Sequence, residues 1–332
     1  MAVIKFRLRT AAYAIFCVFL SHVLAQPVAE NEVGAYFRHK TVIIPHDEKK
    51  HRGGEDAAGA SDTILVVADG VGGWAKHKVN PGLYSKLLTE TIIQLAPKNQ
   101  SLLELVHEAN WIAASKHLGS ATCTVLKVSG KSTISALNIG DSGYSIHRIN
   151  KTTENDFAVK LLFSSEPGQR QFNFPYQIGG KYGDVVAEVA QISTHEFQDG
   201  DIIIVYSDGV SDNLYPEEFH PCIENYLVLD DEPSLSYSLV ADCIARTAYW
   251  LGKDPNFNSP FAKGARAAGW GNYKGGKHDD ISVVVAQIFQ GTKVEQTEMD
   301  PHFPESVHIY TGRVPPVTDL PRPRKVFAHQ EL

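Results

Sequence analysis

Two periods of hydrophobic and polar positions alternate along the middle of the chain. Runs rich in β-branched residues at 39–45 and 63–68 read as strands. Leu83, Leu87, Leu88, Ile92, Ile93 and Leu95 recur at helical spacing and predict an amphipathic helix over 82–96. Leu102, Leu105, Val106, Ala109, Ile112 and Ala113 repeat that pattern and predict a second helix over 102–118. Strand-like runs follow at 120–128, 133–139, 143–148 and 157–163, and their short polar or glycine-containing links predict antiparallel hairpins. The pattern then gives a strand at 201–206, a helix over 235–251 and a last strand at 281–289. No fixed-period repeat is present. Beyond about residue 290 the chain turns polar and proline-rich (VPPVTDLPRPRK), so 291–332 reads as a tail, flexible or lying along the surface.

The N-terminus has a different character. Residues 1–29 contain no acid, and Lys5, Arg7 and Arg9 precede the apolar run 11–20. That run is short for a bilayer span, so residues 1–25 read as a targeting leader: a secretory signal, an uncleaved anchor or a mitochondrial presequence. Membrane association is expected only if the leader is uncleaved. Between leader and tail of the 332 residues lies a body over 34–290, long enough to bury a sizeable core. The net charge of -7 argues against a general nucleic-acid partner, which needs a basic face. Of the four cysteines, Cys17 lies in the leader, and Cys123, Cys222 and Cys243 are widely spaced and odd in number. They predict neither a disulfide framework nor a zinc site. Cys123 sits inside a strand-like run and reads as a core residue.

Acidic residues punctuate the strands. TILVVA is followed by Asp69-Gly70, STISALNI by Gly140-Asp141, and IIIVYS by Asp208-Gly209. The last strand is preceded by Asp279-Asp280, and Gly54-Glu55-Asp56 lies upstream. A strand that delivers a carboxylate into a loop fixes an oxygen ligand, and hard divalent cations take carboxylate, carbonyl and water oxygens. A single Asp-Gly is more often a plain turn. Spacing alone leaves both readings open.

The ordered series GEDA (54–57), VADGVGGW (67–74), GSATCTV (119–125), LNIGDSG (137–143), DIIIVYSDGVSD (201–212) and GGKHDDISVVV (275–285) resembles the metal-dependent protein phosphatases. These are the PPM or type 2C serine/threonine phosphatases. The resemblance covers roughly residues 34–289. DGVGGW, FNFPYQIG (172–179) and KDPNFNSPFA (253–262) resemble the branch linked to mitochondrial coenzyme Q biosynthesis.

The resemblance implies an α+β fold: a four-layer αββα sandwich, two antiparallel sheets flanked by helices, with a binuclear metal centre at one edge. It implies that Asp69 bridges two Mn2+ or Mg2+ ions and that Gly70 offers its carbonyl. Asp208 and Asp279 complete the second ion's ligands, Asp56 contacts metal directly or through water, and Asp141 helps hold a third metal. Asp280 reads as a structural polar residue. The implied reaction is hydrolysis of phosphoserine and phosphothreonine on protein substrates by metal-activated water, without a protein nucleophile, in a monomer.

Two positions depart from the family pattern. Val71 stands where many members have a histidine that protonates the leaving group; His77 and His278 are the nearby histidines, each more often an ordinary loop residue. Arg52 lies three residues before Glu55, one nearer than the family's phosphate-binding arginine, and is either a phosphate contact or a solvated loop residue. The run 49–52 reads as a solvated face that could steer an anionic substrate. Competing functions are a non-catalytic phosphoprotein-binding relative and a two-metal phosphatase of small phosphate esters.

Overall fold

A computed structural model describes residues 34–153, 156–181, 183–228 and 234–291. The leader expected over 1–25 lies outside the described residues, as does the tail expected over 291–332 apart from Gly291. Among the described residues no helix is long and apolar enough to cross a membrane.

The strands are β1 (Ala35–Ile44), β2 (Ala57–Ser61), β3 (Ile64–Ala68), β4 (Cys123–Val128), β5 (Thr133–Ile139), β6 (Gly143–Thr153) and β7 (Asp156–Ser164). They continue with β8 (Gln169–Gln171), β9 (Phe174–Pro175), β10 (Gln191–Glu196), β11 (Ile202–Tyr206), β12 (Leu227–Val228), β13 (Ser234–Leu235) and β14 (Ile281–Gln290). The helices are α1 (Pro81–Leu95), α2 (Leu102–Lys116), α3 (Val186–Val189), α4 (Asp208–Ser211), α5 (His220–Asn225), α6 (Tyr237–Gly252) and α7 (Pro260–Ala267).

Two five-stranded antiparallel sheets carry the fold, in the orders β1-β14-β11-β6-β7 and β10-β5-β4-β3-β2. Strand periodicity builds the layers. Leu65 and Val67 of β3 enter one apolar cluster with Ile203 and Val205 of β11 and Val284 and Ala286 of β14, so the sheets face each other there. The alternate residues Ile64 and Val66 turn outward onto Leu88, Ile92, Leu105 and Val106 of α1 and α2. On the other side Ile202, Ile204, Val283 and Val285 meet Val240, Ile244 and Ala248 of α6. The layers run helix, sheet, sheet, helix, as the resemblance implies. Burial on both faces makes β3 and β11 near-continuous apolar runs, and β14 is apolar but for Ser282, Gln287 and Gln290.

The helix ends follow ordinary capping. Asn80 caps α1 by accepting from Gly82 N–H, and Ser101 and Glu104 form a capping box on α2. The helix expected over 235–251 spans 237–252. The short or exposed elements β2, β8, β9, β10, β12, β13, α3, α4, α5 and α7 were not legible. The strand β2 (AAGAS) is a sheet edge of small residues, and β10 (QISTHE) is a mostly exposed edge. The helix α7 is only eight residues long and is capped by Ser259.

The expectation of no disulfide is corrected. Cys222 of α5 and Cys243 of α6 are joined, with Sγ–Sγ 2.05 Å and Cα–Cα 5.8 Å. Both helices pack on the outer apolar cluster of the first sheet, a proximity that a 21-residue spacing does not disclose. Among the described residues Cys123 is the free thiol, buried on β4 beneath α1 and α2, and burial pushes it up to about 12.

Candidate metal centre

Antiparallel pairing brings the acidic strand ends to one edge. Ala57 pairs Ala68, so the start of β2 and the end of β3 coincide. Cys123 pairs Ile139, which puts the end of β5 beside them. Tyr206 pairs Val283, so Asp208 leaves β11 where Asp279 and Asp280 lead into β14. A cleft of about 240 Å³ opens at this edge, walled by Asp69, Gly70, Asp141, Asp208 and Asp279, with Lys49 and Lys277 among its other lining residues. Asp56 is buried behind it. Size does not mark the site: a larger hollow of about 580 Å³, lined by Asn256, Phe257, Asn258, Arg266, Asn272 and Lys274, holds none of these carboxylates.

Local hydrogen bonds place Asp69 and Asp141. Asp69 N–H donates to Thr122 Oγ1 at 3.0 Å, and Thr122 N–H returns to Asp69 O at 2.9 Å. Gln169 Nε2 donates to Asp141 Oδ2 at 2.9 Å. Backbone closeness explains two glycines. A Cβ at Gly70 would lie 2.5 Å from Glu55 O, and one at Gly209 would lie 2.0 Å from Asp280 O.

Two half-buried lysines complete the centre. Lys277 Nζ lies 2.6 Å from Asp208 Oδ2, 2.6 Å from Asp212 Oδ2 and 3.5 Å from Asp279 Oδ2. Lys49 Nζ lies 2.7 Å from Glu55 Oε2, 2.9 Å from Asp280 Oδ2 and 3.4 Å from Asp279 Oδ1. Sequence reasoning missed Lys277 and Asp212 as members of the cluster, and it read Lys49 as part of a solvated run. The available signal was position: Lys277 sits two residues before Asp279 within the motif GGKHDD.

Charge crowding shifts the protonation equilibria. Burial, reinforced by the charge of Asp280, pushes Asp56 up to about 7. Burial and the charge of Asp208 push Asp141 up to about 7. Burial and Asp56 raise Asp69 far above the usual carboxylate range. Asp212 is raised by burial despite the opposing pull of Lys277. Burial also acts upward on Asp208, yet the Lys277 ammonium outweighs it and holds Asp208 below its ordinary value. Lys277 is raised, because Asp208, Asp212 and Asp279 overcome its own desolvation.

The residues fit a pair of hard cations. Both Oδ atoms of Asp56, Oδ1 of Asp141 and Oδ1 of Asp208 are buried without a hydrogen-bond donor. A carboxylate is an acceptor only, so such oxygens call for a cation. The donor set is all oxygen, as Mg2+ or Mn2+ prefers. Among the described residues no three His, Cys, Asp or Glu side chains stand in finished ligand geometry. The lysine ammonium groups hold part of the cluster instead.

The remaining sequence candidates are placed as follows. Arg52 donates to Glu55 Oε1 at 2.7 Å and does not line the cleft. His77 is exposed, and His278 stacks on His46 with ring centroids 4.2 Å apart; neither lines the cleft. Val71 does line it, with its N–H donating to Ser120 O. Trp74 stands near the cleft wall, donating from Nε1 to Ser120 Oγ at 2.6 Å. Asp280 accepts from His46 N–H, Glu55 N–H and Lys49 Nζ, which is a structural use of its oxygens.

No protein-family model matches the chain. The rice protein "Probable protein phosphatase 2C 1" (Oryza sativa subsp. japonica) is 31% identical over 264 residues, which is 75% of this chain and 74% of that protein. The chain belongs to the protein phosphatase 2C family. The Arabidopsis thaliana "Probable protein phosphatase 2C 80" is 37% identical over 74% of this chain and 57% of its own length. The chain thus spans about half the length of several curated 2C relatives it matches. Among solved structures, the photosystem II phosphatase PBCP is 29% identical with a TM-score of 0.65, covering 76% of this chain and 98% of that one. The catalytic domain of PstP, in complex with 2 manganese ions, shares the 2C fold at a TM-score of 0.52 and 16% identity, covering 77% and 100%.

Proposed function

We propose that the chain is a protein serine/threonine phosphatase that hydrolyses phosphoserine and phosphothreonine monoesters with the help of two Mn2+ or Mg2+ ions. The observation that carries the reading is the set of buried, donorless oxygens on Asp56, Asp141 and Asp208 at the family's motif positions. The relatives named protein phosphatase 2C and the manganese-containing PstP neighbour support it.

The residues divide the work. Asp56, Asp69, Asp208, Asp279 and the Gly70 carbonyl would hold the pair, with Asp141 at its side. Bound there, such a pair supplies Lewis-acid activation of water and charge neutralisation at phosphorus. Thr122 fixes the Asp69 backbone, and Gln169 orients Asp141. Lys277 supplies Asp208 with a counter-charge and holds it below its ordinary value. With Val71 on the wall and neither His77 nor His278 lining it, the leaving-group proton is assigned to water. Arg52 is committed to Glu55 and does not line the cleft, so no phosphate contact is assigned to it.

The test compares turnover of a phosphopeptide and of a small phosphorylated metabolite by the full chain, with Mn2+ and after exhaustive chelation. Metal-dependent turnover of the phosphopeptide is expected. Undiminished activity after chelation overturns the reading. Faster turnover of the metabolite favours the small-ester alternative, and no turnover with metal bound favours the non-catalytic one.

We further propose that the protein works in an oxidising compartment. The Cys222–Cys243 disulfide supports this, since such bonds persist where thiol reductants are scarce. Alkylation mapping of protein from its native cell should find both thiols blocked and the Cys123 thiol free.

A further inference from the structure

Lys277 is built into the centre rather than draped over it. Its N–H donates to Asn213 Oδ1 at 3.0 Å, and Asn213 Nδ2 donates back to Lys277 O at 2.8 Å. Asn213 Nδ2 also reaches Gly209 O at 3.0 Å, within the α4 turn that begins at Asp208. The backbone on both sides of the ion pair is therefore clamped, and only the lysine side chain is left to move. Its ammonium contacts Asp208 Oδ2 and Asp212 Oδ2, both at 2.6 Å, and approaches Asp279 Oδ2 at 3.5 Å. Asp208 and Asp279 are the carboxylates that would hold a cation together; the ammonium sits on their Oδ2 atoms while Asp208 Oδ1 has no donor, so the ammonium and that cation would share both carboxylates. Two positive groups a few ångströms apart repel. In that same position Nζ also lies 5.2 Å from the centre of the Phe261 ring.

We infer that Lys277 is a resident counter-ion of the centre, whose ammonium must leave Asp208 and Asp279 before a divalent cation is held there, and that Lys277 thereby sets the cation affinity. This rests on the metal-centre reading above. Lys277 is a positioning residue: it acts through Asp208 and Asp212. Its presence gives the carboxylates a counter-charge at low metal and opposes weak or accidental occupancy.

The test is calorimetric titration of the full chain with Mn2+, for the unaltered protein, Lys277→Met and Lys277→Arg, with melting temperatures recorded in chelator. Lys277→Met should bind Mn2+ at least about tenfold more tightly, because it removes the competing charge but keeps the length of the side chain. Its melting temperature in chelator should fall, and Lys277→Arg should bind no more tightly than the unaltered protein. Equal or weaker binding by Lys277→Met overturns the inference. Should that variant fail to fold, acylation of amines on the unaltered protein decides: Lys277 should be labelled faster with saturating Mg2+ than in chelator. Unchanged labelling overturns the inference as well. Absence of any cation binding by the unaltered protein removes the metal-centre reading itself, whereas binding without the Lys277→Met gain removes only the counter-ion role.

Discussion

Asp280 accepts the backbone N–H of Glu55 at 3.1 Å, across 225 residues of chain. The same buried carboxylate accepts His46 N–H at 2.7 Å and the Lys49 ammonium at 2.9 Å. It therefore staples the start of β14 to the turn that delivers Asp56, and the two halves of the metal centre depend on that staple.

Asp280→Ala removes the acceptor for two backbone donors and one ammonium in a buried place. Breaking a buried pair on one side destabilises by about 3–5 kcal/mol. Urea unfolding in chelator should show a loss of that size. A loss below about 1 kcal/mol would mean that Lys49 and the loop find other partners.

Asp208 and Asp212 share one ammonium, yet Asp208 alone of the two lines the cleft. Asp208→Asn keeps the shape and removes the charge, so turnover should fall at least about 10²-fold, the scale of a lost positioned electrostatic group. The sequence motif alone puts Asp212 outside the cluster and predicts little effect there. The contact with Lys277 changes that expectation: Asp212→Asn should lower turnover about tenfold, by leaving Lys277 to Asp208 and Asp279. Steady-state rates at the half-saturating Mn2+ concentration of the unaltered protein check both. A larger loss at Asp212 than at Asp208 would reverse the assignment.

How much was legible follows from what each element buries. The strands β3, β11 and β14 are apolar on both faces and could be read directly; β2 and β10 are sheet edges whose small or exposed residues carry no such signal. The carboxylates were legible because each ends or begins an apolar strand. Their lysine partners were not, since Lys49 meets Asp279 and Asp280 only once β1 has paired with β14, and Lys277 meets Asp208 only once β11 has paired with β14. The disulfide was hidden by counting: three cysteines beyond the leader suggest no pairing, until the layers separate Cys123 from the two that share a face.

The Cys222–Cys243 bond closes a loop of 21 residues between α5 and α6. Constraint of the unfolded chain by a loop of that length stabilises by about 3 kcal/mol. The double variant Cys222→Ser, Cys243→Ser should lose about 2–4 kcal/mol in urea unfolding, and dithiothreitol should lower the melting temperature of the unaltered protein but not of the variant. Cys123→Ala should leave the response to reductant unchanged. A reductant effect of equal size in the double variant would assign it to the Cys123 thiol.

His147 of β6 is fully buried, with Nε2 2.8 Å from Ser145 Oγ and Nδ1 3.3 Å from His220 Nε2. Burial, helped by His220, lowers it from its ordinary 6.5 to about 3, so the folded protein keeps this ring neutral. The unfolded chain takes up the proton at the ordinary value. Stability from this residue is therefore complete above about 6.5 and is lost as pH falls toward 3, at up to ~1.4 kcal/mol per pH unit. Between pH 6.5 and 4.5 the unaltered protein should lose about 2 kcal/mol more than His147→Gln, which has no proton to gain. Urea unfolding in chelator at several pH values checks this. The buried carboxylates titrate in both proteins and cancel in the difference, so parallel curves would mean that the His147 ring is protonated in the fold as readily as outside it.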